Sequence, residues 1–234
     1  LAQGLLTSAR KDLPRAESWQ AGVFDKLGKL ASDPSRLVRL QMLLTLGAIN
    51  TEQTEALRAE IVRENEHALF RAAAMTGLQR RELDFLVRLL GRPEWQTPSD
   101  HRQQMVSLLA QAIIDEAEPE RISRLLEVLV TRLTGSSWMR DAILSGVLAA
   151  VPRDLQNVRP LQLPNEPAVL TKLAHSDDET LRERAFRLLA FFTWPGASSL
   201  RPAALAVQPL TPEEQRRAET GEQQFALLCA ACHQ

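Results

Sequence analysis

Apolar residues spaced by three and four run through most of this chain, the period of one face of an α-helix. Such stripes are Phe24-Leu27-Leu30, Leu57-Ile61, Leu83-Leu86-Leu90, Ile122-Leu126-Leu129-Leu133 and Val169-Leu173. Between them lies a second kind of stripe: an apolar residue, an arginine, two residues, an apolar residue, three residues, then an aliphatic. It occurs as Val38-Arg39…Met42…Leu46, Phe70-Arg71…Ala74…Leu78, Met139-Arg140…Ile143…Val147 and Leu181-Arg182…Ala185…Leu189. A weaker copy, Arg102…Met105…Leu109, has His101 in the leading apolar place. The five arginines lie 32, 31, 38 and 42 residues apart. Repeats of this length mean stacked supersecondary units, because a single helix pair cannot bury its apolar face alone. The pattern therefore predicts about five helix pairs in an all-α array. Asp33-Pro34-Ser35, Thr97-Pro98-Ser99, Gly135-Ser136-Ser137 and Ser176-Asp177-Asp178 serve as turn and cap residues at the joints.

The D-P-x-x-x-V-R run from Asp33 to Arg39, with its echoes, resembles HEAT-type α-helical repeats between about Ala16 and Phe192. The resemblance implies a HEAT-like solenoid. The mean period is shorter than the usual HEAT length, and a tetratricopeptide array is the alternative at that length. Its W-x-x-L-G-x-x-Y pattern is absent. Asn65-Glu66-His67 takes the Asp-Pro place in the second unit and weakens that copy. The repeated arginines could line a groove for an acidic partner. Their place near helix starts favours bonds to loop carbonyls or to a polar residue of the same or next unit. Trp19, Trp95, Trp138 and Trp194 fall at inter-helix joints and are expected to cover core ends rather than form a stacking surface. His67, His101 and His175 lack the mutual spacing of a metal set and read as surface or cap residues. Glu116-Ala117-Glu118-Pro119-Glu120 reads as a solvated acidic turn.

After Phe192 the composition changes. Pro195, Pro202, Pro209 and Pro212 fall within twenty residues rich in Ala and Ser, the signature of a semi-extended linker. A new helix then starts cleanly, with Thr211 as N-cap, Pro212 as its first residue and Glu213 and Glu214 at the positive end of the dipole. It is expected to run from Pro212 towards Leu228. The domain reading is a repeat array over 1–194, a linker over 195–210 and a separate tail over 211–234.

The tail ends in Cys229-Ala-Ala-Cys232-His233, a C-x-x-C-H run. This is the attachment sequence for a c-type haem: each thiol adds to one porphyrin vinyl group, and the following imidazole becomes the proximal ligand of the iron. Gly221, Phe225 and Cys229 share one helical stripe at i, i+4 and i+8. The tail resembles the first helix of class I c-type cytochromes, in which a glycine and an aromatic at those offsets pack on the domain's last helix. The resemblance implies covalent haem c on Cys229 and Cys232, with His233 as the axial ligand. A thioredoxin-type motif would want a βαβ context, and none is visible. A zinc site would want two more ligands, yet these are the only two cysteines and the other histidines lie far upstream. Met42, Met75, Met105 and Met139 lie inside other helices, so none is a natural distal ligand. The chain starts at Leu and stops one residue after His233, so a fragment of a longer protein is expected.

Composition narrows the function classes. The chain has 234 residues, 44% hydrophobic, 24% charged and 5% aromatic with no tyrosine, which favours a helical globular core. A net charge of −1 provides no field to recruit nucleic acid or an anionic membrane. No apolar run is long enough for a membrane span. No paired carboxylates, nucleophile with base or Gly-rich phosphate loop marks a catalytic site. A helical array joined by a Pro-rich linker to a haem c start resembles large exported bacterial proteins in which a propeller similar to sugar dehydrogenases precedes HEAT repeats and a cytochrome c domain. That resemblance implies a periplasmic or otherwise exported scaffold relaying electrons from an upstream dehydrogenase domain to a redox partner. A pure protein-interaction solenoid is the alternative. A HEAT-like DNA glycosylase is the third reading, and the net charge speaks against it.

Overall fold

The computed structural model describes residues 25–49, 51–131, 137–155, 158–197 and 210–228. The protein is all-α apart from one two-residue strand pairing. Residues 25–31 are helical. They are followed by α1 (Arg36–Leu46), α2 (Glu52–Glu64), α3 (Ala68–Thr76), α4 (Glu82–Leu90), a 3-10 turn (Pro93–Trp95), α5 (Asp100–Asp115), α6 (Pro119–Thr131), α7 (Ser137–Ala150), α8 (Ala168–Leu173), α9 (Glu179–Phe191) and α10 (Pro212–Leu228). Compactness divides the chain into two units, Leu1–Pro152 with Pro160–Ala197, and Arg153–Arg159 with Ser198–Gln234.

In the first unit the arginine-bearing helices α1, α3, α5, α7 and α9 pack one on the next. The intervening α4, α6 and α8 pack in a second row, which α2 joins through its side chains. The reason lies in the sequence period. Met42, Leu46, Ala74, Leu78, Met105, Leu109, Ile143, Val147, Ala185 and Leu189 are the two inward positions of the five arginine stripes, and all ten are buried. Each such side chain contributes about 1.5–3 kcal/mol when fully withdrawn from water, less for alanine. The α5–α7 crossing is close, with Gly146 of α7 lying on the backbone of Ser107 in α5.

Local signals set the helix starts. Thr51 and Thr54 form a reciprocal capping box at α2. Asp178 Oδ1 accepts the Leu181 amide at 3.1 Å and starts α9. His67 Nδ1 accepts the Leu69 amide at 3.2 Å and starts α3. Leu161–Gln162 (β1) pairs in parallel with Phe192–Thr193 (β2). Periodicity gave no warning of this pairing, because two residues are too short to show alternation. The first helices end in an apolar face that the described residues leave open: Leu30, Leu37 and Leu44 are all more than 40% exposed.

The second unit contributes α10. Glu214 Oε2 accepts from the Thr211 amide at 2.8 Å and from its hydroxyl at 2.7 Å, while Thr211 Oγ1 accepts the Glu214 amide at 3.3 Å. Arg217 pairs with Glu213 one turn back at 2.7 Å. The start at Thr211–Pro212 and the run to Leu228 are those expected from the sequence. Most of the expected linker, residues 198–209, lies outside the described residues.

Candidate functional site

Cys229, Cys232 and His233, the residues expected from the sequence to attach haem, lie outside the described residues. What the structure places is their approach. α10 runs unbroken to Leu228, the residue before Cys229. Gly221 and Phe225 share a stripe on it; nothing lies within 4 Å of a Cβ built at Gly221, and Phe225 is half exposed. The small residue and the aromatic thus stand one turn apart on one face of the helix. Among the described residues no three His, Cys, Asp or Glu side chains cluster as a metal site. No described helix is long and apolar enough to cross a membrane.

Four of the five arginines share one geometry. Arg39 donates to the Asp33 carbonyl, Arg71 to that of Glu66 at 2.6 Å, Arg102 to that of Thr97 at 2.7 Å, and Arg182 to that of Ser176 at 3.0 Å. In each case the acceptor lies five or six residues back, in the loop before the helix. Arg140 pairs with Asp141 at 3.5 Å, and the loop before its helix lies outside the described residues. Two arginines also reach the next arginine-bearing unit: Arg39 donates to Asn65 Oδ1 at 2.9 and 3.3 Å, and Arg71 donates to Gln104 Oε1. Asn65, which looked like a defect in the repeat, is thus the acceptor that ties the first unit to the second. Its own amide donates to the Ile61 carbonyl at 2.6 Å.

Of the tryptophans expected to cover core ends, Trp19 lies outside the described residues. Trp95 is buried in the core, and Trp138 Nε1 donates to the Gln96 carbonyl at 3.0 Å. His101 Nε2 meets the Arg63 carbonyl at 3.0 Å, and His175 Nδ1 meets the Thr171 carbonyl at 2.8 Å.

A groove of about 1050 Å³ crosses α3, α5, α7 and α9. Its floor is made by short side chains, Ala68, Ala72, Ala112 and Ala142 among them, with Met75 and Leu108. Its charges balance: Arg71 and Arg184 face Asp115 and Asp141, and Arg71 is already engaged by Glu66 and Gln104. It is neither a basic nor an acidic channel.

Two charged clusters escaped the sequence reading. Arg58 of α2 has no exposed surface. Its Nη2 donates to the Leu46 carbonyl at 3.0 Å, its guanidinium lies 5.8 Å from the Phe85 ring centre, and its Nε and Nη1 have no hydrogen-bond partner. Burial, with Arg81 nearby, pulls its pKa down to about 10, against the opposing pull of Glu55. The second cluster corrects the solvated reading of the acidic turn at Glu116, while Ala117 and Glu120 are exposed as expected. Glu116 is largely buried and pairs with Arg121, and Glu118 pairs with Arg80. Spacing along one helix could not show this, because Glu82 and Arg121 arrive from two other helices.

Comparisons with protein-family models, curated proteins and solved structures found no match.

Proposed function

We propose that this chain is a HEAT-like helical scaffold joined to the start of a cytochrome c domain, and that it serves electron transfer in a larger exported haem c protein. The observation that carries the reading is the C-x-x-C-H run placed directly after a capped helix whose Gly221–Phe225 stripe is uncovered. Two thiols and an imidazole at that spacing are the donor set for haem c. Cys229 and Cys232 would form the two thioether bonds, and His233 would hold the iron from the proximal side. The bound haem supplies reversible one-electron chemistry. The chain's own part is to fix the porphyrin's point of attachment through α10 and to keep that helix's start rigid through the Thr211–Glu214 box. The packed rows of α1–α9 act as a spacer whose register is fixed by arginine-to-loop bonds. On this reading an upstream dehydrogenase-like domain donates electrons and a separate redox protein accepts them. The test is expression of a version extended past residue 234 with haem-maturation machinery, in an exported form. A covalently attached haem, seen as a Soret band and a mass increase that survives denaturation, supports the reading. A correctly exported, colourless product sinks it.

The groove across α3, α5, α7 and α9 favours a second reading, a protein-interaction solenoid without redox role. An open concavity floored by alanines accepts an uncharged amphipathic helix better than a polyanion. That reading requires full function after Cys229→Ser, whereas the haem reading requires its loss. The glycosylase reading gains nothing from this groove, since its two cations are matched by two carboxylates. Filter binding to duplex DNA at low salt would expose any phosphate-driven affinity.

A further inference from the structure

Three charged side chains converge where α4, α5 and α6 meet. Glu82 opens α4, Glu116 follows α5 and Arg121 stands near the start of α6, and each side chain is less than a fifth exposed. Arg121 is divided among several acceptors. Its Nη2 lies 3.5 Å from Glu82 Oε2 and 3.4 Å from Glu116 Oε1, and its Nη1 donates to the Arg80 carbonyl at 2.5 Å. Its Nε comes within 2.7 Å of Glu116 Oε2, yet both atoms are buried and neither makes a hydrogen bond, so the approach is misaligned. One nitrogen, Arg121 Nη2, lies within 3.5 Å of an oxygen of each, which draws the Glu82 and Glu116 carboxyls to the same point. Arg80, the second cation facing Glu116, forms an ion pair with Glu118. Two carboxylates thus lean on one guanidinium, with Arg80 adding a weaker pull on Glu116, and such a pair resists ionising together.

The backbone on both sides is held in a costly conformation. Gln79 and Arg80 have φ of 44° and 69°, and Ala117 has φ of 55°, left-handed values that disfavour residues with a side chain. The bonds made by Arg80 end on this cluster: its amide donates to Glu82 Oε1 at 3.2 Å, and its carbonyl accepts from Arg121.

We propose that Glu82 and Glu116 share one proton, and that this proton fastens the 77–81 loop to the 116–118 turn, so that the packing of α4 on α5 and α6 depends on pH. With the proton present, the pair is a hydrogen-bonded unit carrying one negative charge opposite Arg121. When the proton leaves to solvent, a second negative charge appears among side chains that are less than a fifth exposed, and the two carboxylates repel. Burial first, and the contact with Glu82 second, push the Glu116 carboxyl up to about 7 against the pull of Arg121. A folded-state pKa raised above the unfolded one gives a stabilisation that is complete below the ordinary carboxylate range. That stabilisation is lost as pH rises through about 7.

The experiment is thermal unfolding of the full chain and of its Glu116→Gln and Glu82→Gln variants between pH 4 and 8.5. Glutamine keeps the neutral, hydrogen-bonding shape of the protonated carboxyl. The histidines titrate in the same range, so the readout is the difference between wild type and variant. We expect the wild type to match Glu116→Gln at the acid end and to fall several degrees below it at the alkaline end. Parallel curves overturn the proposal. Should the variants fail to fold, the carboxyl carbon shift of Glu116 in the wild type decides: titration near 7 supports the shared proton, and titration in the ordinary carboxylate range overturns it.

Discussion

Gly146 of α7 rests on the backbone of Ser107 in α5 with no room for a methyl group. A Cβ built there would strike the Ser107 carbonyl oxygen and lie 2.8 Å from the Ser107 carbonyl carbon and 2.9 Å from Ala110 Cβ. The obstacle is backbone, which cannot step aside as a flexible side chain can. Gly146→Ala should therefore cost stability at the upper end of the ~1–3 kcal/mol typical of overpacking. Gly28→Ala and Gly221→Ala, with nothing within 4 Å of the added carbon, should be neutral or stabilising by about 0.4–1 kcal/mol. Urea denaturation of the three variants checks the ranking, and a Gly146→Ala protein as stable as the other two would refute it.

Arg58 contributes packing and one carbonyl bond at the cost of two buried N–H groups without partners. Arg58→Ala should cost about 3 kcal/mol through the cavity and the orphaned Leu46 carbonyl. Arg58→Met keeps most of the volume and removes the unsatisfied donors, so its cost should be less than half as large. Equal costs, measured by the same denaturation, would show that the guanidinium's charge matters more than its shape.

The Arg39–Asn65 bond ties the first arginine-bearing unit to the second. A double-mutant cycle on Arg39→Ala and Asn65→Ala should return a coupling of about 1–2 kcal/mol. Replacing Arg39 by Lys should not restore it, because one ammonium cannot reproduce the Nε and Nη2 bonds to one oxygen together with the Nη1 bond to Asp33. A coupling near zero would reduce the ladder to a set of independent surface bonds.

At α10 the Thr211 hydroxyl first, and the Thr211 amide second, hold the Glu214 carboxyl below its usual range. A depressed folded-state pKa gives support that is present above the unfolded value and lost as pH falls through the folded one. Acidification should therefore fray the first turn of α10, visible as loss of protection at the Glu214 amide in hydrogen exchange. Glu214→Gln should show little of this acid dependence.

In the extended, haem-loaded protein, Cys229→Ser or Cys232→Ser should leave a single thioether bond. The double variant should release its haem to acidified organic solvent. Haem retained by the double variant would mean that attachment lies elsewhere in the chain.

Much of the helical order follows from the chain alone. The positions three and seven residues after each repeated arginine are buried in all five copies, and the expected stops at Ser35, Ser99, Asp178 and Thr211 are where helices begin. These signals are local: a period of 3.6 residues, a hydroxyl or carboxylate that caps, a proline that fits only the first turn. Asn65 shows where local reading runs out. It breaks the repeat in one dimension and completes a bond across 26 residues in three.

The sequence by itself determined the helices, their inward faces and the two thiols and imidazole that follow α10, because each depends on residues a turn or two apart. Only tertiary structure decided which charges are buried together. Glu82, Glu116 and Arg121 sit on three elements up to 39 residues apart, and their shared environment, not their identity, raises the Glu116 carboxyl to about 7. Burial and proximity across helices are properties of packing, and no periodicity along one strand of text encodes the distance between two side chains that meet only after the helices have stacked.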